Sequence, residues 1–139
     1  MGEFTHTIDD KGRLTIPARF RGELANGLVI TRGFDQNLMM FPLAGWAEYA
    51  EKIAQRPLAD EDVRAFRRRV FSGAVDLAPD KQGRVLLPPY LRDFAGINGE
   101  VVITGNFNYV EIWSAEAWQT VRASVENSSD AARWDDLGI

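Results

Sequence analysis

The chain has 139 residues, of which 45% are hydrophobic, 26% charged and 11% aromatic, the profile of one compact globular domain or two small ones. It contains no cysteine and a single histidine, His6, which excludes disulfides, thiolate catalysis and the common zinc and iron–sulfur sites, so we expect no catalytic residue, no metal and no cofactor. Sixteen Lys and Arg against twenty Asp and Glu give a net charge of −4, which argues against a protein that coats nucleic acid indiscriminately.

The first pattern in chain order is a tight turn followed by a short strand. Asp9 is placed to accept hydrogen bonds from nearby backbone amides, and Gly12 tolerates the positive φ that such turns require. Residues 14–16 alternate as a half-buried strand should, and Pro17 ends the strand. Since proline suits the first position of a helix, the pattern predicts a short helical turn over residues 18–24.

A hairpin and an amphipathic helix complete this unit. Apolar runs at residues 28–31 and 39–41 predict two strands, and the segment GFDQN between them predicts the turn of a hairpin. Four side chains then recur at helical spacing and are expected to face the core: Trp46, Tyr49, Ala50 and Ile53.

The next segment, RPLADEDVRAFRRRVF at residues 56–71, is patterned like a helix and not like a flexible linker. Asp60 is placed to cap this helix and Gly73 to end it. Its expected buried face consists of Val63, Phe66 and Val70. The three arginines at 67–69 resemble a basic patch, but the acidic residues at 60–62 favour a solvated helix face with i,i+4 ion pairs.

The same order of signals recurs at an offset of 71 residues, where DDKGRLTIPARFRGEL at 9–24 matches DKQGRVLLPPYLRDFA at 80–95. The matched pairs are Asp9 with Asp80, Gly12 with Gly83, Arg13 with Arg84, Pro17 with Pro88, and Arg21 with Arg92. Residues 85–87 are apolar throughout and predict a more buried strand than 14–16, followed by a helical turn over 90–94.

The second copy also continues into a hairpin and a helix. Strands are predicted over residues 101–104 and 109–113, with GNFN as the turn between them, and Ser114 is placed to cap the last helix. The apolar stripe of that helix consists of Trp118, Val121 and Val125.

An internal duplication of this length predicts an α+β fold in which two pseudosymmetric β-rich units form one compact domain. The predicted organisation is a first unit over residues 1–55, a connecting helix over 56–71, a second unit over 72–126, and a polar, mobile tail over 127–139.

The duplicated turn is basic in both copies, DDKGR and DKQGR, and two like sites at a fixed separation suit a repetitive polymer such as double-stranded DNA. Arginine bonds O6 and N7 of guanine in the major groove, and lysine meets phosphate as a point charge. The candidate DNA contacts are Lys11, Arg13, Lys81 and Arg84. The residues expected to shape the turns are Asp9, Gly12, Asp80 and Gly83. A structural turn with no ligand is the favoured interpretation for the two aspartates, and it is an equally weighted alternative for the four cations.

Three strings carry a resemblance to a known family: HTIDDKGRLTIPARFR, VITRGFDQNLMMFP followed by Trp46, and DKQGRVLLPPYLRDFAGI followed by VVITGNFNYVEIW. They resemble the MraZ family of bacterial transcriptional regulators from about Gly2 to Trp118, and more distantly the AbrB-like swapped-hairpin DNA-binding proteins. Both copies of the family's Asp-x-x-x-Arg motif are present, each with its downstream proline and hairpin.

The resemblance implies a cytoplasmic, nucleoid-associated regulator that binds promoter direct repeats of the division and cell wall gene cluster. It also implies a ring-shaped homo-oligomer in which the basic turns of several subunits engage successive repeats. Carried over by position, Lys11 and Arg13 match the DNA-contacting positions of the first motif, and Lys81 and Arg84 those of the second. Because the lysine lies two residues before Arg13 but three before Arg84, we give the first turn more weight.

Three other functions stay open at this point. One is an antitoxin-like module that binds both DNA and a protein partner, for which the tail at 127–139 is a short candidate arm. The others are a purely structural ring former and an enzyme with an aspartate-based site. Four aromatic residues have two alternative roles, packing in the core or forming an interface of the ring: Phe34, Phe41, Phe107 and Trp113. We favour core packing for most of them.

Overall fold

A computed structural model describes residues 1–126 and 132–139 of the chain. Its strands are β1 (Gly2–Thr7), β2 (Arg13–Thr15), β3 (Leu28–Arg32), β4 (Leu38–Pro42), β5 (Val75–Leu77), β6 (Arg84–Leu86), β7 (Glu100–Gly105) and β8 (Val110–Ser114). Its helices are α1 (Ala18–Leu24), α2 (Leu43–Ala54), α3 (Glu61–Gly73), α4 (Pro89–Ala95), α5 (Ala115–Glu126) and α6 (Ala132–Asp135). The predicted mobile tail falls partly on residues 127–131, which lie outside the described residues. None of the described helices is long and apolar enough to span a bilayer.

The strands form two antiparallel sheets that combine both copies of the repeat. The larger sheet has the order β1-β7-β8-β4-β3-β5, and the smaller sheet consists of β2 and β6 alone. The two hairpins meet at the centre of the larger sheet, where Leu38 lies opposite Ile112. The outer strands are exchanged, because β1 of the first copy pairs with β7 of the second, and β5 of the second pairs with β3 of the first. The predicted α+β fold with two pseudosymmetric units in one domain is therefore confirmed.

One hydrophobic core joins the two sheets. Leu14 of β2 and Val85 of β6 are buried in the same cluster as Ile30, Met40 and Ile112 of the larger sheet. The intervening residues of the larger sheet face the opposite side because strand side chains alternate. On that side the hydroxyl of Thr31 donates to the carbonyl of Val70 in α3. The larger sheet is thus covered on both faces.

The predicted boundary signals of the helices are confirmed. The turns α1 and α4 follow Pro17 and Pro88, and Gly96 ends α4 in the left-handed conformation at φ 65°. The carboxylate of Asp60 accepts a hydrogen bond of 2.9 Å from the amide of Asp62 at the start of α3. The hydroxyl of Ser114 accepts one of 3.1 Å from the amide of Ala117 at the start of α5.

The prediction that residues 85–87 form a more buried strand than residues 14–16 is wrong. Val85 and Leu87 are buried, but the Leu86 side chain between them is 55% exposed. The reason is that β6 pairs only with β2, in a two-stranded ribbon with the core on one face and solvent on the other. The apolar run at residues 85–87 therefore forms a half-buried strand, although its sequence is typical of a buried one.

The helices α2 and α5 contribute less to the core than their apolar stripes predict. Trp46 and Tyr49 are half-buried, and of the apolar stripe of α2 only Ile53 is buried. All residues of α5 are described and none is buried. The physical reason is that these helices form a single outer layer on the sheet, so one side contacts it, as Tyr49 stacks on Phe41 with ring centroids 4.8 Å apart, while the other faces solvent.

The i,i+4 ion pairs predicted around residues 67–69 are absent among the ion pairs of the described residues. Arg69 instead donates to the carbonyl of Gly33 at 2.8 Å and lies 5.1 Å from the ring centroid of Phe94. Arg67 lies over Phe71 at 5.5 Å. Arginine stems and guanidinium groups pack against neighbouring aromatics in preference to the acidic first turn of the helix.

The four aromatic residues with two predicted roles divide evenly. Phe41 and Trp113 are buried, whereas Phe34 is 64% and Phe107 is 87% exposed. Phe34 follows β3 and Phe107 follows β7, so each exposed ring lies in the turn of one hairpin.

Candidate nucleic-acid interface

The first basic turn is organised by the Asp9 carboxylate. Its Oδ1 atom accepts hydrogen bonds from the backbone amides of Lys11 at 3.0 Å and Arg13 at 2.7 Å. Its Oδ2 atom accepts a bond of 2.6 Å from Arg13 Nε. Gly12, at φ 83°, donates to the Asp9 carbonyl at 3.0 Å. The aspartate therefore joins both ends of the turn, and it also fixes the direction of the arginine.

The second basic turn repeats this geometry. Asp80 accepts hydrogen bonds from the backbone amides of Gln82 and Arg84 at 2.9 Å each, and its Oδ2 accepts from Arg84 Nε at 2.9 Å. Gly83 has φ 74° and donates to the Asp80 carbonyl at 2.9 Å. The duplication in sequence is thus a duplication of hydrogen bonds.

These hydrogen bonds favour the ionised form of both aspartates. Donation from the Arg13 backbone amide, with smaller contributions from the Arg13 side chain and the Lys11 amide, lowers the pKa of Asp9 below 3.8. Donation from the backbone and side chain of Arg84 and the amide of Gln82 lowers the pKa of Asp80 in the same way. Both carboxylates are consequently charged at neutral pH and pair with their arginines.

The cations remain accessible at both turns. The side chains of Arg13 and Arg84 are 32% and 28% exposed, and each is tied to its aspartate through Nε. The two Nη atoms of a guanidinium held in this way are its outer donors. Lys11 and Lys81 are exposed and belong to none of the ion pairs among the described residues.

The pairing of β2 with β6 brings the two turns together, and we call β2, β6 and the turns at residues 9–13 and 80–84 the basic ribbon. Leu14 lies opposite Val85, and both are buried. Because side chains alternate along a strand, Arg13 and Arg84 lie on the other, outer face. Both predicted arginines therefore share one solvent-facing surface.

The outer face of the basic ribbon carries two further residues that the sequence analysis missed. Leu86 lies opposite Arg13, and Thr15 lies opposite Arg84. Alternation of buried and exposed residues along each strand could have predicted both. In β6 this alternation is not visible in the sequence, because residues 85–87 are all apolar. Two arginines, a threonine and a leucine make a small mixed surface suited to the edges of bases.

Two arginines of the repeat that had no role in the sequence analysis also lie beside the ribbon. Arg21 of α1 donates from Nε to the carbonyl of Ile16 at 2.9 Å, and Arg92 of α4 donates from Nε to the carbonyl of Leu87 at 3.1 Å. Their identical spacing in the two copies was the signal that marked them.

Two strand-exchanged hairpin units with paired basic turns define a class of duplicated, pseudo-twofold α+β proteins, and the comparisons with known proteins agree. A family model described as "MraZ protein, putative antitoxin-like" matches residues 1–69 and again residues 70–137. The chain belongs to the MraZ family of transcriptional regulators.

Several curated relatives carry the name Transcriptional regulator MraZ. The protein of Herpetosiphon aurantiacus is 52% identical over 131 residues, covering 94% of this chain and 92% of the relative. That of Roseiflexus castenholzii is 49% identical over 126 residues, covering 91% and 88%. That of Thermomicrobium roseum is 48% identical over 135 residues, covering 96% and 95%. The similarity extends over both copies and both basic turns.

Proposed function

We propose that the protein is a sequence-specific DNA-binding regulator without catalytic activity, and that it binds double-stranded DNA through the basic ribbon. The observation that carries this proposal is the common outer face of Arg13 and Arg84, each oriented by its own aspartate. A two-stranded ribbon is narrow enough to enter the major groove. No loop has to rearrange to present the arginines, so little ordering entropy opposes binding.

The residues of the ribbon supply complementary kinds of contact. Arg13 and Arg84 present their Nη atoms for bidentate bonds to guanine, worth about 1–3 kcal/mol of discrimination per good contact. Lys11 and Lys81 supply phosphate contacts from the turns. Leu86 and the methyl group of Thr15 are suited to the thymine methyl. The ribbon thus combines base reading with positioning.

The family resemblance supports the finer part of the proposal, namely the division and cell wall gene cluster as target, with short direct repeats as binding sites. A ring of several subunits accounts for the net charge of −4, because basic ribbons that engage together replace bulk attraction by avidity. If two subunits each place four cations on DNA, about eight contacts lose roughly 10³ to 10⁵ in affinity between 50 and 200 mM salt. Such a protein acts in the cytoplasm, at the nucleoid.

For the ring we propose contacts between copies through the exposed aromatic hairpin turns. Phe107 is 87% exposed and has φ 70°, a conformation that costs energy in a residue other than glycine. Beside Phe34 lies a half-open groove of about 220 Å³, lined in part by Phe41 and Tyr49. A ring needs two different patches on one chain, and an exposed phenylalanine and an aromatic groove supply them.

The oligomeric contact is tested by light scattering of purified protein. Phe107→Ser is expected to yield smaller assemblies than the parent, because it removes an exposed apolar side chain while leaving the core intact. Leu58→Ser is the matched control, since Leu58 is also exposed but lies between α2 and α3. An unchanged mass for Phe107→Ser would remove this residue from the interface.

The organisation into units at 1–55, 56–71, 72–126 and 127–139 stays a prediction that accompanies this function.

The antitoxin-like alternative requires a protein partner as well as DNA. Both functions include DNA binding, so the two are distinguished by whether the purified protein also binds a protein partner.

The experiment is fluorescence anisotropy with a duplex that contains direct repeats from upstream of the protein's own gene, against a scrambled duplex. The parent is expected to prefer the repeats, and Arg13→Ala to lose that preference while remaining folded. Arg56→Ala is the charge-matched control, because Arg56 is exposed and follows α2 on the face of the larger sheet opposite the ribbon. Equal, weak binding of the parent to both duplexes would contradict the proposal.

A further inference from the structure

Arg21 and Arg92 are each held in place by a hydrogen bond to a neutral backbone carbonyl, and not by an acidic side chain. Each donates from Nε to a backbone carbonyl five residues earlier, that of Ile16 or Leu87, immediately before the proline that ends the strand. Arg21 is exposed and Arg92 half-exposed, and neither belongs to an ion pair among the described residues. Each is therefore a positioned cation without an anion.

The two arginines cross from one copy to the turn of the other. A Cβ atom built on Gly83 would lie 2.7 Å from Nε of Arg21, and one built on Gly12 would lie 2.9 Å from Cζ of Arg92. The guanidinium groups thus lie directly against the glycines of the basic turns. These glycines are needed for this close approach as well as for their positive φ.

The crossing is reinforced by backbone hydrogen bonds between the copies. The amide of Ile16 donates to the carbonyl of Gly83 at 2.8 Å, and the amide of Leu87 donates to the carbonyl of Gly12 at 2.9 Å. The carbonyls of Ile16 and Leu87 hold the arginines, so the same two residues fix both the turn and the guanidinium that lies on it. The position of each arginine relative to the opposite turn is therefore rigid.

At the second turn, this arrangement produces a cleft with two cations from different copies. Arg21 and Lys81 line the same half-open cavity of about 220 Å³, together with Asp80 and Gly83. The carboxylate of Asp80 is already occupied by the Arg84 guanidinium and by the turn amides. An anion that enters this cleft meets two positive charges and a neutralised carboxylate.

We propose that Arg21 and Arg92 bind DNA phosphates, and that each of them completes the basic turn of the opposite copy. The proposal rests on the DNA-binding function of the ribbon and assigns the phosphodiester backbone to residues outside the Asp-x-x-x-Arg motif. With Nε anchored, Nη1 and Nη2 remain for a phosphate oxygen pair, the geometry in which arginine binds anions most strongly. Neither copy then has a complete binding site without the other.

The test is the salt dependence of binding of the full protein to the direct-repeat and scrambled duplexes, for Arg21→Gln, Arg92→Gln and the control Arg56→Gln. Each phosphate contact contributes about 0.9 to the slope of log affinity against log salt concentration. We expect Arg21→Gln or Arg92→Gln to lower the slope by about 0.9 for each engaged subunit, so that between roughly 50 and 200 mM salt the affinity falls about 3.5-fold less per engaged subunit. Affinity for both duplexes falls together, and Arg56→Gln keeps the slope of the parent.

Thermal melting verifies that Arg21→Gln and Arg92→Gln are folded. An unchanged slope of log affinity against log salt concentration in these folded variants would overturn the proposal. So would a loss of preference for the repeats with the slope retained, because that result assigns the arginines to positioning the turns. A parent with no preference for the repeats is a different outcome, since it refutes the proposed function itself. If the glutamine variants do not fold, Arg21→Lys carries the test: it retains the slope as a point charge but binds about tenfold more weakly, and parental affinity would overturn the proposal.

Discussion

The two copies of the repeat have the same turn geometry and very different net charge. Residues 1–69 contain eleven Lys and Arg against ten Asp and Glu, whereas residues 70–137 contain five against ten. Both turns nevertheless hold an arginine through the same aspartate bonds, at 2.6 Å in the first copy and 2.9 Å in the second. Duplication has preserved the hydrogen bonds of the turn, and the charge outside it has diverged.

This difference indicates how a pseudosymmetric protein can read an asymmetric sequence. The basic ribbon has nearly twofold symmetry because β2 and β6 pair with each other around Leu14 and Val85. DNA repeats read in one direction require the two turns to be unequal. If the protein binds direct repeats as proposed, the excess acidity of the second copy and the shifted lysine supply that inequality without disturbing the shared core.

The largest expected effect concerns the part of the molecule in which the copies cannot be separated. Leu14 and Val85 face each other in one core and are buried. Leu14→Ala is therefore expected to lower the free energy of unfolding of the whole chain by about 2–5 kcal/mol. Val85→Ala removes less volume and should cost less, with a single melting transition in both variants. The measurement is denaturant unfolding followed by circular dichroism.

The control for this prediction is Leu86→Ala, which truncates the neighbouring exposed leucine and is expected to change stability by less than about 0.5 kcal/mol. Two separate unfolding transitions in Leu14→Ala would show that the copies are independent domains, contrary to the exchanged strands.

The second effect separates the copies at the ribbon. Arg13→Ala is expected to cost about 1–3 kcal/mol of specific binding for each engaged subunit, because it removes a bidentate base contact. Arg84→Ala should cost less, because the net negative charge of the second copy weakens its attraction to DNA. Anisotropy titrations of the two variants against the same repeat duplex compare them directly. Equal losses would show that the divergence in charge has no effect on binding.

Much of this fold follows from local sequence signals. The parts that could not be predicted in this way arise from pairing between the two copies. Asp60, Ser114 and Pro17 mark helix starts by chemistry confined to a few residues, and the turns follow from an aspartate and a glycine at fixed spacing. The pairing of β2 with β6 joins residues about 70 positions apart, and the exchanged strands join residues between about 45 and 103 positions apart. One sequence carries no local signal for pairing at such separations.

The same distinction applies to the candidate site. The motif predicted Arg13 and Arg84 because each is adjacent to its aspartate in sequence. It did not predict Leu86, since its exposure arises only from the two-stranded ribbon, nor Arg21 and Arg92, whose neighbours in space belong to the other copy. The sequence shows that an arginine recurs at equal spacing in both copies. Only the structure shows that each of these arginines lies against the turn of the other copy.

The third effect compares the turn glycines. Gly12→Ala and Gly83→Ala each place a Cβ in a left-handed conformation and against a guanidinium, so each is expected to destabilise the protein by about 1 kcal/mol or more. Gly22→Ala, in α1 with open space around its Cβ, should instead be neutral or stabilising. Thermal melting of the three variants tests this order. A Gly83→Ala variant as stable as the parent would contradict both the cost of the left-handed conformation and the close approach of Arg21.

The smallest effect is the pH dependence of the turns. Hydrogen bonds from the backbone amides and arginines lower the pKa of Asp9 and Asp80 below the ordinary 3.8. A carboxylate with a lower pKa in the folded state adds stability above its unfolded pKa and loses that contribution as the pH falls through its folded pKa. The turns should therefore be unaffected between about pH 7 and 5, and weaken only below about pH 4.

Carbon-detected NMR titration of the side-chain carboxyl groups measures this directly and sharpens the comparison of the copies. Asp9 is expected to titrate at a lower pH than Asp80, because its bonds from the amide and Nε of its arginine are 2.7 and 2.6 Å, against 2.9 Å for both in the second turn. Its side chain is less exposed, at 32% against 40%, and this desolvation opposes the effect of the shorter bonds on the pKa. The reverse order would show that the first turn holds its arginine less tightly than the second. The larger effect expected of Arg13 would then rest only on the position of Lys11 and on the net charge of the copies.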